Sequence, residues 1–73
     1  MYEVKPHPTS VDHIIVVFNT RVKHTISLPK GVGEEEVLKA IAEYLQQYEE
    51  TYPETRDSSF WDELNRRLGV SVA

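Results

Sequence analysis

The stretch Val11-Asp12-His13-Ile14-Ile15-Val16-Val17-Phe18-Asn19-Thr20-Arg21-Val22-Lys23-His24-Thr25-Ile26-Ser27-Leu28 decides the fold. Val11 to Phe18 is dominated by β-branched residues, which suit a pleated, buried backbone and predict a strand. Val22 to Leu28 alternates: Val22, His24, Ile26 and Leu28 fall on one face, Lys23, Thr25 and Ser27 on the other. That period of two marks a half-buried strand. Asn19, Thr20 and Arg21 supply turn chemistry between them, and Pro29 closes the pair, so the stretch reads as an antiparallel hairpin.

The two strands are unequal. The second has one apolar face, whereas the first places Ile14, Val16 and Phe18 on one side and Ile15 and Val17 on the other. A three-residue turn puts Phe18, Val16 and Ile14 on the face of Val22, His24 and Ile26, with Ile15 and Val17 beside Lys23 and Thr25. A two-residue turn swaps the assignment, because a one-residue slip reverses every side chain. Under either register, apolar residues of the first strand lie on the polar side of the second and need a cover. A second helix, the residues preceding the hairpin, or another protein chain would each serve.

Downstream, Lys30-Gly31-Val32-Gly33 leads into a run with helical periodicity. Val37, Leu38, Ile41, Tyr44, Leu45, Tyr48 and Tyr52 share a sector roughly 120° wide at about 100° per residue. Gly33 is an acceptable N-cap, Glu34, Glu35 and Glu36 suit the positive end of the helix dipole, and Pro53 ends the helix near Tyr52. After a polar loop, Ser58 or Ser59 is expected to cap a second helix, with Ser59 and Asp62 in capping-box spacing. Phe60, Trp61, Leu64 and Leu68 form its apolar stripe, Arg66 and Arg67 its last turn, and Gly69 its C-terminal stop. Residues 1–10, with Pro6 and Pro8, read as an irregular lead-in to a single domain over 11–73. The alternation Val70-Ser71-Val72 leaves open a short third strand, most simply paired with the first. The expected architecture is therefore α+β, ββαα with that optional strand.

Composition bounds the function. A chain of 73 residues holds one small domain whose core supplies only a few kcal/mol of net stability. Hydrophobic residues are 40%, charged residues 27% and mean hydropathy is -0.45, which fits a globular chain. No cysteine is present, which excludes disulfides, thiolate metal centres and a thiol nucleophile. No apolar run approaches the roughly 18 residues of a membrane span. The start at Met1 without a basic-then-apolar segment sets the expectation of a cytoplasmic location.

Net charge is -4, which disfavours a chain built to neutralise phosphates. The charge is uneven. Through Lys30, four cations (Lys5, Arg21, Lys23, Lys30) face Glu3 and Asp12; from Gly31, four cations face ten acids. Much of that acidity lies on the outer side of the first helix, where Glu35, Glu36, Glu43 and Glu50 form a candidate acidic face, with Glu34 and Glu49 read as solvated beside it. Arg21, Lys23 and Lys30 form a weak basic ribbon on the hairpin.

Reactive constellations are sparse. Gly31-Val32-Gly33 lacks the third glycine of a dinucleotide fingerprint and any following G-K-[ST], and its glutamates would repel phosphate. His13 and His24 come within reach in some registers but lack a third metal ligand, so no metal or cofactor is expected. His24 reads as a structural histidine on the apolar face. Asp57-Ser58-Ser59 has hydroxyls without a spaced base. Tyr44, Tyr48 and Tyr52 line one edge of the helical stripe, as boundary core or as a binding strip.

From His13 to Leu45, the hairpin followed by L-P-K-G-V-G-E-E-E-V-L-K-A-I resembles the opening of a ubiquitin-like β-grasp domain. The likeness covers under half the chain. A second helix then stands where that fold has strands, and no terminal di-glycine is present, so no conjugation or sulfur-carrier role is implied.

The leading expectation is a non-enzymatic protein-interaction module, a homodimer or a regulator of a larger partner. Its candidate interface is Ile15, Val17, Tyr44, Tyr48 and Tyr52. The alternatives are an acidic inhibitor or decoy of a basic nucleic-acid-binding protein, and weak nucleic-acid binding by the hairpin.

Overall fold

A computed structural model describes residues 1–69. The chain runs through β1 (Tyr2–Pro6), β2 (His13–Asn19), β3 (Lys23–Pro29), α1 (Glu34–Thr51), a single 3-10 turn (Pro53–Thr55) and α2 (Ser58–Leu68). The architecture is α+β, an antiparallel sheet of order β1-β2-β3 followed by a long and a shorter helix. The likeness to a β-grasp opening ends with α1, since α2 comes next among the described residues.

The irregular lead-in is corrected: Tyr2 to Pro6 is a strand, paired with β2 from Tyr2↔Phe18 to Pro6↔Ile14. An unpaired edge of a strand as apolar as β2 leaves its backbone groups open, and pairing satisfies them. Pro6 is tolerated because it ends an edge strand. β1 and β3 together occupy both edges of β2. The alternation Val70–Val72 itself lies outside the described residues.

β2 and β3 are joined by Thr20, Arg21 and Val22, with Asn19↔Lys23 and Phe18↔His24 as the last pairs. The loop has three residues but sits one position later than expected, which slides the pairing by two. A slide of two preserves the faces. Ile14, Val16 and Phe18 therefore share the front face with Leu28, Ile26 and His24, and with Tyr2, Val4 and Pro6 of β1. The slide moves Val22 into the exposed loop and sets the His24 ring on Phe18, with ring centroids 5.0 Å apart.

Both helices pack on this front face. The buried core joins Val16 and Phe18 to Val37, Leu38, Ile41 and Leu45 of α1 and Phe60 and Leu64 of α2. Phe60 stacks on Phe18 at 5.6 Å between centroids. Gly31, at φ +91°, makes the turn from β3 towards α1 in a region that disfavours a Cβ. α2 is capped by Asp57 rather than a serine: its Oδ1 accepts the Phe60 N–H at 3.1 Å. The helix starts one residue earlier than expected, and there a carboxylate serves as both acceptor and counter-charge to the dipole. Gly69 ends α2 in the left-handed region, at φ +76°.

Candidate functional site

Sheet alternation places Ile15 and Val17 on the back face, away from both helices. Their neighbours there are Lys5 and Glu3 on β1 and Ser27 and Thr25 on β3, with Lys23 at the hairpin end. Ile15 and Val17 are half-buried by these flanking side chains, whereas Val16 and Phe18 on the front are at most 1% exposed. Of the two internal covers considered from the sequence, α2 joins the front core and the N-terminal residues pair at the edge. The back face thus carries no helix among the described residues.

The tyrosines do not share that face. Tyr44 and Tyr48 close over His24 from α1, their rings 5.4 and 4.8 Å from the imidazole, and the Tyr52 ring lies tilted against Tyr48 at 4.9 Å. Only Tyr52 is broadly exposed, at 47%. His24 is 2% exposed, within 2.9 Å of Thr20 Oγ1 through Nε2 and 3.3 Å of the Tyr44 hydroxyl through Nδ1. Desolvation lowers its pKa from the ordinary value, and the charge of Glu49 partly opposes that shift. The site therefore favours a neutral imidazole. His13 lies at the other end of the hairpin, opposite Pro29, so the two histidines do not meet.

Nor do the three basic residues converge. Arg21 and Lys23 sit at the hairpin tip, and Lys30 lies beyond the far end, about 20 Å along the strand. On α1, Glu36, Glu43 and Glu50 are exposed. Glu35 pairs with Lys39 at 3.2 Å and Glu34 with Arg67 at 3.7 Å.

Glu49 is a correction to the solvated acidic side. Its side chain is only 8% exposed, and its Oε1 accepts the Trp61 indole N–H at 2.7 Å and faces Arg56 Nη1 at 3.4 Å. Its Oε2 is buried without a hydrogen-bond partner among the described residues. Two signals pointed here. Glu49 follows Leu45 by one helical turn, and a tryptophan N–H that leaves water needs an acceptor. The pair borders a cavity of about 680 Å³ between the C-terminal half of α1, the 3-10 turn and α2, also lined by Gln46, Glu50, Arg56 and Asp62.

A second hollow of about 470 Å³ includes Val4, Pro6, His7, Val11, His13 and Lys30. Beside it, Ser10 Oγ lies 2.8 Å from His13 Nδ1, and His7 Nδ1 accepts the Ser10 and Thr9 N–H groups. These bonds organise the loop from β1 to β2. Among the described residues no carboxylate bonds to His13, so this serine–histidine contact lacks an orienting acid.

Compared with known proteins, the chain matches no family model, no curated protein and no solved structure. Among the described residues, no helix is long and apolar enough to cross a membrane.

Proposed function

We propose that the protein is a small non-enzymatic interaction module that associates with a second copy of itself through the back face of its sheet. One observation carries this reading: β-branched Ile15 and Val17, at the middle of the central strand, stand on the face that carries no helix among the described residues. Apolar side chains in such a place gain from removal of water at roughly 25 cal/mol per Å².

The charges favour a second copy. Lys5 and Lys23 flank the apolar pair, and Glu3 stands among them. Within one copy Lys5 Nζ lies 3.9 Å from Glu3 Oε2, and a two-fold pair that sets β1 over β3 or β1 of the other copy lets Glu3 exchange that lysine for one of its partner. The same surface serves both copies, as a two-fold interface requires.

A face of three strands this short covers only roughly 300 Å² per copy, from a strand spacing of about 4.8 Å and a rise of about 3.3 Å per residue. That is well under the ~800 Å² per partner of a stable interface, so the association is weak and concentration-dependent. Sedimentation equilibrium from micromolar to millimolar protein tests it. Dimerisation at the upper end that disappears in Ile15→Thr/Val17→Thr, with folding retained, is the expected result. A strict monomer at millimolar concentration refutes self-association.

A further inference from the structure

We infer that the hollow at the end of the sheet, bordered by β1, the loop to β2 and Lys30, is a binding site for a small oxyanion carried on an apolar chain, a carboxylate or a phosphate monoester. The site is independent of the proposed self-association.

The walls set the sign of the ligand. Lys5, His7, His13 and Lys30 line the hollow, and no aspartate or glutamate lines it among the described residues. Lys5 is loosely held by Glu3, at 3.9 Å, while Lys30 forms no ion pair among the described residues. The Lys30 backbone N–H donates to the Asp12 carbonyl at 2.8 Å, which ties this lysine to the loop that carries the histidines.

The second, independent feature is the state of the two rings. His7 Nδ1 accepts the Thr9 and Ser10 N–H groups, at 3.2 and 3.1 Å. A backbone N–H can only donate, so the neutral His7 ring carries its proton on Nε2. His13 follows the same pattern. Ser10 Oγ accepts the Asp12 N–H at 3.3 Å, and its hydroxyl proton serves His13 Nδ1, 2.8 Å away. Two Nε2–H donors are thereby left for a ligand, on rings whose centroids lie 6.0 Å apart. A divalent metal would need the Nε2 lone pairs, and His7 could offer one only by moving its proton to Nδ1 and giving up both backbone bonds. An oxyanion accepts from Nε2–H as it stands, and a neighbouring ammonium adds a charge-assisted bond.

The apolar chain of the ligand follows from the other walls. Four large hydrophobic side chains are exposed among the described residues, and two of them, Val4 at 52% and Val11 at 85%, line this hollow. Apolar groups left in water beside hydrogen-bond donors suit a ligand that is anionic at one end and apolar at the other. The volume of about 470 Å³ falls within the roughly 300–1,000 Å³ of small-molecule pockets.

The test uses the full chain and the histidine ring resonances in proton–nitrogen correlation spectra, recorded above the ordinary histidine pKa of about 6.5. The probes are octanoate and octyl phosphate, with octan-1-ol and acetate as the uncharged and chainless controls. The free protein should show both rings in the Nε2–H form. At least one anion should shift them saturably, with each control binding about tenfold more weakly or worse; the tighter anion identifies the headgroup. Two substitutions at exposed positions leave the fold intact. Lys30→Met should weaken anion binding about tenfold, and Val11→Ser about threefold. Ile15→Thr/Val17→Thr should bind as the parent does. Octan-1-ol bound as tightly as the anions, a His7 proton on Nδ1, no saturation, or Lys30→Met with parental affinity would overturn the assignment.

Discussion

The two faces of β2 are built from similar residues and meet different fates. Val16 and Phe18 are sealed under two helices, whereas Ile15 and Val17, each one position away, remain half-buried by neighbours on β1 and β3. The difference shows where the apolar surplus of this strand goes. Being central in the sheet accounts for its β-branched character on both sides, because strands flank it on both edges. The front face then makes the domain, and the back face carries no helix among the described residues.

Substitutions on the two faces should therefore separate folding from association. The largest effect belongs to the front. Phe18→Ala removes a ring stacked on His24 and Phe60 and should cost ~3–5 kcal/mol, enough to unfold much of so small a domain. Urea titration followed by circular dichroism measures it. Next comes the cap that holds α2 over the front: Asp57→Ala should cost about 1 kcal/mol, seen as a lower denaturation midpoint with an unchanged slope.

A pH effect also belongs to the front face. The folded pKa of His24 is lowered, so the unfolded chain binds the extra proton first as pH falls. The stability held by neutral His24 is complete above about pH 6.5, the ordinary histidine value, and declines below it toward the folded value. The groups around the ring are Tyr44 and Tyr48 from α1, Thr20 from the hairpin loop, and the charge of Glu49. His24→Gln should flatten the decline in thermal melts between pH 7 and pH 5; an undiminished decline would assign it to other groups. The smallest effect is on the back, where Val17→Thr should change monomer stability by under about 1 kcal/mol while weakening association.

Much of the front face was legible from the chain. Alternation in Val22–Leu28 and the helical stripes of Val37–Leu45 and of Phe60, Trp61, Leu64 and Leu68 are strong periodic signals, and they place the hairpin and both helices. β1 was hidden because Pro6 and Pro8 disguise a strand too short for periodicity to reveal, and Tyr2 and Val4 were its only trace. The slide of two residues in the hairpin was equally invisible, since it preserves every face. Its cause is tertiary: His24 gains the Phe18 ring and the two tyrosines, contacts between residues far apart in sequence. For the same reason Glu49 was assigned to solvent with its acidic neighbours. Its environment depends on Trp61 and Arg56, which α2 and its preceding loop bring back across α1.

The central claim is that the back face associates while the front face folds. Amide chemical-shift mapping between about 20 μM and 2 mM protein tests it most directly. Concentration-dependent shifts confined to Glu3, Lys5, Ile15, Val17, Thr25 and Ser27, and absent in Ile15→Thr/Val17→Thr, are the result the account requires. Shifts centred on the outer surfaces of α1 and α2, or a spectrum unchanged across the range, would contradict it.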